Sequence, residues 1–321
     1  NGAATTTIWN TGTVTSLTVS GTPLVECSGG GTATKTINTG ALSEANAISF
    51  SLLETTGTVT YAFTASNVVK NLIINGVQTL SNIVISIYGA FTHSTANGTT
   101  TFTAGANAWT FAATSGSYTI TNLAGTTYDF PWTFGSAAST ATWTLAANLT
   151  LGATRQISLT NGTTDFNSKT LSAAGITIVT GTPTIANTGT ASFTTTLPIT
   201  HTSGSLTLPF NVTTSSTSGY TFTAGTLALS SYTLTTPIFS SSNTNVRTLN
   251  FGTGKIALNG SATARNDPNN TNLNGLRYFI VNANDADMYL QGALQDGKPN
   301  LGFLSRKPSG MTGNAVDTTE E

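Results

Sequence analysis

Cleavage of a polysaccharide needs two carboxylates held face to face, and calcium binding needs several oxygen ligands in one tight loop. In this 321-residue chain, the segment 1–264 carries only five carboxylates, Glu26, Glu44, Glu54, Asp129 and Asp165. They are scattered, and no two lie one repeat unit apart, so no pair stacks. His93 and His201 are far apart in sequence and have no Cys or acidic neighbour at metal-ligand spacing. Both read as surface or internally satisfied histidines. Asn282, Asn284, Asp285 and Asp287 place four oxygen-bearing side chains close together. The twelve-residue calcium pattern, with its glycine and terminal Glu, is not met, and an ordinary turn is expected. The sequence therefore predicts no catalytic, cofactor-binding or metal residue and no enzyme.

Trp109, Trp132 and Trp143 are the remaining candidates, because a flat aromatic face suits a sugar ring. Trp109 and Trp143 lie in alternating apolar and polar runs, so aromatics packed inside the fold are expected. Asp129-Phe130-Pro131-Trp132 reads as a corner, with proline at a strand end. Cys27 is the only cysteine. It cannot form an intrachain disulfide and reads as a buried thiol. Triplets such as Asn97-Gly-Thr99 and Asn161-Gly-Thr163 match the glycosylation pattern, but this composition generates them by chance.

The elements that would hold these residues are strands. Threonine and serine make up about 31% of the chain. Threonine is β-branched, so it suits a pleated surface, and its hydroxyl keeps an exposed face wet without charge. Period-two alternation recurs in Leu17-Thr18-Val19, Tyr118-Thr119-Ile120, Trp143-Thr144-Leu145 and Leu249-Asn250-Phe251, with Gly, Asn and Ser clusters between. No helical apolar stripe runs through the chain as far as position 260 or so, which argues against crossover helices. With 38% hydrophobic residues and 15 Phe, 8 Tyr and 4 Trp, a core can form, and disorder is the weaker reading.

The chain also repeats itself. Thr-Phe-Thr-Ala-Gly occurs at 101–105 and 221–225, and 157–171 matches 220–234 at a constant offset of 63. In that match Ile157 aligns with Tyr220, Leu159 with Phe222, Gly162 with Gly225, Phe166 with Leu229 and Leu171 with Leu234. Three units of 21 fit a repeat protein whose coils stack on one another. The expected fold is all-β, a parallel β-helix or β-solenoid over residues 1–264, with tandem β-sandwich domains as the alternative. Coils of about 21 residues stacked every ~4.8 Å would give roughly 12 coils and a rod of about 60 Å.

Composition changes at Arg265. No threonine occurs from Asn272 to Met311, and residues 265–321 hold 7 of the 12 acidic and 5 of the 11 basic groups. Residues 265–307 read as a small mixed C-terminal cap and interaction module covering the open edge of the solenoid. Arg277 to Val281 reads as a strand there, and Asp285 to Gln295 as a short helix or strand. Residues 308–321 read as a flexible tail.

A net charge of −1 offers no basic field for nucleic acid or for an anionic membrane. No run approaches the ~20 apolar residues of a membrane helix. A soluble chain is expected, and Asn1 reads as a processed terminus or as part of a longer polypeptide. The runs 41–50, 103–116 and 239–254 resemble segments of threonine-rich structural proteins of tailed bacteriophages, a likeness covering most of 1–260. This resemblance implies a tail fibre, tailspike stem or other virion surface appendage, commonly a homotrimer, whose partners are itself, other virion proteins and a host surface glycan. A bacterial extracellular adhesin or filament subunit, and a glycan-depolymerising tailspike, are the alternatives. No cofactor is expected.

Overall fold

Trp109-Thr110-Phe111 and Trp132-Thr133-Phe134 show how the local sequence sets the architecture. In each, the two aromatics turn inward and the threonine turns outward. The two strands pair in parallel, with Trp109 opposite Trp132 and Phe111 opposite Phe134. Parallel pairing of strands about one coil apart in sequence is the signature of a β-solenoid. A computed structural model provides the coordinates and describes residues 6–11, 17–28, 32, 34–40, 42–63, 67–81, 84–241, 244–259 and 279–282.

The chain divides into two compact units, residues 1–190 and 191–321. In the first, one ladder runs through Asn67–Val69, Ile85–Ile87, Trp109–Phe111, Trp132–Phe134, Gln156–Leu159 and Gly175–Ile178. A second runs through Ser49–Phe63, Leu72–Leu80, Phe91–Ser94, Ser117–Thr121, Thr142–Leu145, Thr163–Asp165 and Thr184–Ala186. A short third ladder joins Thr127–Tyr128, Leu149–Leu151 and Leu171–Ser172. In the second unit, Ser192–Thr195, Asn211–Thr214, Thr233–Thr236 and Lys255–Leu258 form one ladder. Ser205–Thr207, Gly225–Ala228, Arg247–Asn250 and Phe279–Asn282 form another. Ile199–His201, Tyr220–Phe222 and Phe239–Ser240 form a third.

All of these strand pairs are parallel, which removes the β-sandwich alternative, since sandwiches are built from antiparallel pairs. The one helical element among the described residues is the 3₁₀ turn Glu44–Asn46.

Coil length is not uniform. Successive partners along the first ladder are Asn67, Ile85, Trp109, Trp132, Ile157 and Ile176, so the step is shortest from Asn67 to Ile85 and longest from Trp132 to Ile157. The chain accordingly holds about 10 turns rather than the roughly 12 expected from a uniform coil. The irregularity resides in the corners. Short strands fix the pairing, while the loops between them gain or lose residues freely because they face water.

Some corners are tightly specified. Gly162 and Gly225, matched in the sequence repeat, have φ of 72° and 94°. A Cβ on Gly225 would lie 2.1 Å from the carbonyl oxygen of Gly204 on the neighbouring coil. Both the left-handed backbone and the coil contact therefore require glycine. Gly225→Ala is expected to cost the second unit about 2 kcal/mol or more, read as a lower denaturation midpoint; an unchanged midpoint would show that the corner relaxes.

The core is an aromatic and aliphatic stack. Phe111 and Phe134 are stacked at 4.9 Å, and Tyr220 and Phe239 at 5.7 Å. Near the C-terminus, the strand read from sequence at 277–281 appears as Phe279–Asn282, parallel to Arg247–Asn250. The composition boundary at Arg265, the segment 285–295 and the tail 308–321 lie outside the described residues.

Candidate functional site

Inward positions hold both histidines, three tryptophans and two of the five described carboxylates. Period two places His93 behind Phe91, His201 behind Ile199 and Glu54 behind Leu52 on buried faces. His93 Nδ1 lies 2.8 Å from the Tyr128 hydroxyl, which accepts the Leu123 N–H at 3.0 Å. Tyr128 can therefore direct its own proton to Nδ1, while Nε2 is buried without a partner. His201 Nδ1 lies 3.1 Å from the Tyr220 hydroxyl, and its Nε2 donates to the Gly204 carbonyl at 3.3 Å. Burial lowers both histidines from 6.5 to about 4 and raises Tyr128 and Tyr220 well above the ordinary phenol value. These are sealed structural pairs.

The carboxylates are each engaged differently. Asp129 accepts Arg155 Nε at 2.7 Å, and Glu44 meets Lys70 Nζ at 3.4 Å and the Thr114 hydroxyl at 2.7 Å. Asp165 is buried at a corner, where it accepts the N–H groups of Asn167 and Thr188 and the Thr188 hydroxyl. Glu54 pairs with Lys35 at 2.6 Å, and Glu26 is exposed. Among the described residues, no three His, Cys, Asp or Glu side chains group as a metal site would require.

The three tryptophans are at most 1% exposed. Trp109 and Trp132 are neighbours in one ladder and Trp143 lies in another, so none offers a face to a sugar. Asn161 is committed as well. Its amide donates to the carbonyls of Ser136 and Ala137, and its oxygen accepts the Thr182 N–H at 2.8 Å, so one side chain ties three successive coils. Asn71 does the same between Ser49 and Ala90. Asn282 lies in a strand; Asn284, Asp285 and Asp287 fall outside the described residues.

Several outward register columns of the two units are rows of hydroxyls. Ser86, Thr110, Thr133, Ser158 and Thr177 stand in one register column. Ser117, Thr142, Thr163 and Thr184 form a second, with Thr119 and Thr144 beside it. In the other unit Thr194, Thr213 and Thr235 align. Rows repeat at the strand spacing of about 4.8 Å. These columns carry methyl and hydroxyl groups, which hydrogen-bond neutral polar partners, and the Thr119–Thr144 row continues to the buried Asp165.

Sequence reasoning missed the Lys35–Glu54–Tyr61 cluster. The signal was the inward parity of Glu54 in Phe50-Ser51-Leu52-Leu53-Glu54, which places a carboxylate where the pattern calls for an apolar side chain. No helix among the described residues is long and apolar enough to cross a membrane. Comparison with protein-family models, with curated proteins and with solved structures finds no match to this chain.

Proposed function

We propose that the chain is a non-enzymatic structural protein of a tailed-phage virion, part of a tail fibre, tailspike stem or other surface appendage, working in host attachment or particle assembly. The supporting observation is the division of chemistry between inside and outside. Among the described residues both histidines, Glu54 and Asp165 are buried, while several outward register columns are hydroxyls on stacked parallel strands. Such a stack derives stability from backbone pairing and core packing. In this reading the chain assembles with copies of itself, as a homotrimer, and with other virion proteins, and its partner outside the particle is a host surface glycan.

Immunogold electron microscopy of purified particles tests the proposal. Label on tail or surface appendages is the expected result, and detection only inside the host cell would overturn it. A bacterial extracellular adhesin or filament subunit shares the fold, and self-assembly of the purified chain into filaments would favour it.

A further inference from the structure

Three ion pairs join described side chains, and one differs from the others. The side chains of Lys70–Glu44 are 36% and 21% exposed, and those of Arg155–Asp129 are 19% and 37% exposed. Lys35 Nζ lies 2.6 Å from Glu54 Oε1, with Glu54 fully buried and Lys35 15% exposed. The two residues sit on paired strands, Thr34–Asn38 and Ser49–Phe63, with Lys35 opposite Tyr61. Nζ also lies 5.5 Å from the centre of the Tyr61 ring.

The hydrogen-bond count around this pair does not close for a simple salt bridge. Glu54 Oε2 is buried without a partner, a costly state for an ionised carboxylate. The Tyr61 hydroxyl contacts Glu54 Oε1 at short range and the Cys27 carbonyl at 3.0 Å. It has one proton for two acceptors. Both mismatches ease when a proton passes from Nζ to Oε1. The neutral acid then donates to Tyr61, Tyr61 donates to the Cys27 carbonyl, and Nζ is left with a lone pair beside the carboxyl carbon.

We propose that Lys35 and Glu54 condense into an intramolecular amide that staples two neighbouring coils. The Nζ lone pair attacks Cδ of Glu54 and a C–N bond forms. The C–Oε1 bond breaks, and Oε1 leaves as water with its own proton and one from Nζ. Oε2 remains as the amide oxygen. An amine and an acid give an amide and water, so no oxidant, reductant or co-reactant is needed. Contact of the reacting groups replaces a bimolecular encounter, and the burial of Glu54 slows the reverse hydrolysis. The Cys27 thiol on the adjacent strand does not compete as a thiolate, because burial pushes it up to about 11. The chain has a single cysteine, so this bond would supply the covalent loop closure that disulfides give other extracellular proteins.

The mass of the full-length folded protein, read after denaturation, tests the proposal. The wild-type chain is expected to be lighter than its sequence mass by one water, with a branched peptide joining Lys35 to Glu54 after proteolysis. Lys35→Met is expected at its full sequence mass. A wild-type chain at full sequence mass, or a water loss mapped to other residues, would overturn the bond. Because mass is read on denatured chains and the wild type decides, misfolding of the variant leaves the result unaffected.

Discussion

Trp132→Ala is expected to lower the stability of the 1–190 unit by about 4 kcal/mol, within the range for deleting a fully buried large aromatic. Trp132 is 0% exposed and packs against Phe91 at 5.8 Å, Phe111 at 5.1 Å, Tyr128 at 5.1 Å and Phe134 at 6.2 Å. These neighbours stand on ladder strands that their own coils hold in place, so the walls of the new cavity have little freedom to close. The indole Nε1 has no acceptor, so the loss comes from packing rather than from a broken hydrogen bond. Trp132→Phe should cost less than half as much. Thr110→Ala, at an outward position of the adjacent strand, should stay within about 0.5 kcal/mol. Denaturant midpoints followed by circular dichroism check the series, and a Trp132→Ala loss no larger than that of Thr110→Ala would contradict the packing.

Acid should weaken both units, beginning well above the ordinary carboxylate range. His93 and His201 are neutral and buried, and their folded values fall from 6.5 to about 4. Between those limits the unfolded chain holds a proton that the folded chain refuses. Stability is therefore complete above pH 6.5, declines as pH falls, and levels off near 4. Each histidine contributes a loss of up to about 3 kcal/mol over that window, at 1.36 kcal/mol per pH unit. Urea melts at pH 7 and pH 4.5 measure the effect. His93→Gln should flatten the response of the first unit and His201→Gln that of the second. Melts that do not depend on pH, or variants that keep the full slope, would show that the pairs open and admit water.

These two effects differ in how far the sequence foretold them. The sequence turns Trp109 and Trp143 inward because a strand alternates its faces, and reads Trp132 as the end of a corner; the structure puts Trp132 on a buried strand face too. The burial of His93 follows from the same rule applied to Phe91-Thr92-His93, yet imidazole is compatible with either face, and the partner hydroxyl lies 35 residues away on Tyr128. The same holds for Glu54, whose parity was readable and whose lysine, 19 residues back, was not. Thr-Phe-Thr-Ala-Gly gives a further lesson. Phe102 lies in a strand paired with Leu72–Leu80, while Phe222 pairs with His201 on Ile199–His201, so the two copies have different settings. Those five residues specify a strand and a corner, but not the ladder they join.

The sequence by itself pointed to an all-β stack of short strands and to which faces of those strands are buried, with tandem β-sandwich domains as the alternative that the parallel pairing then removed. Those properties follow from period-two alternation, threonine content and the repeat at 63, all local or statistical features of the chain. Only the tertiary structure decided which side chains meet. In a parallel ladder the partner of a residue lies one coil away, and the coils here are unequal: the step from Asn67 to Ile85 is shorter than the step from Trp132 to Ile157. Loop lengths at the corners set that register, and they tie Asn161 to its three coils, His93 to Tyr128, and Lys35 to Glu54.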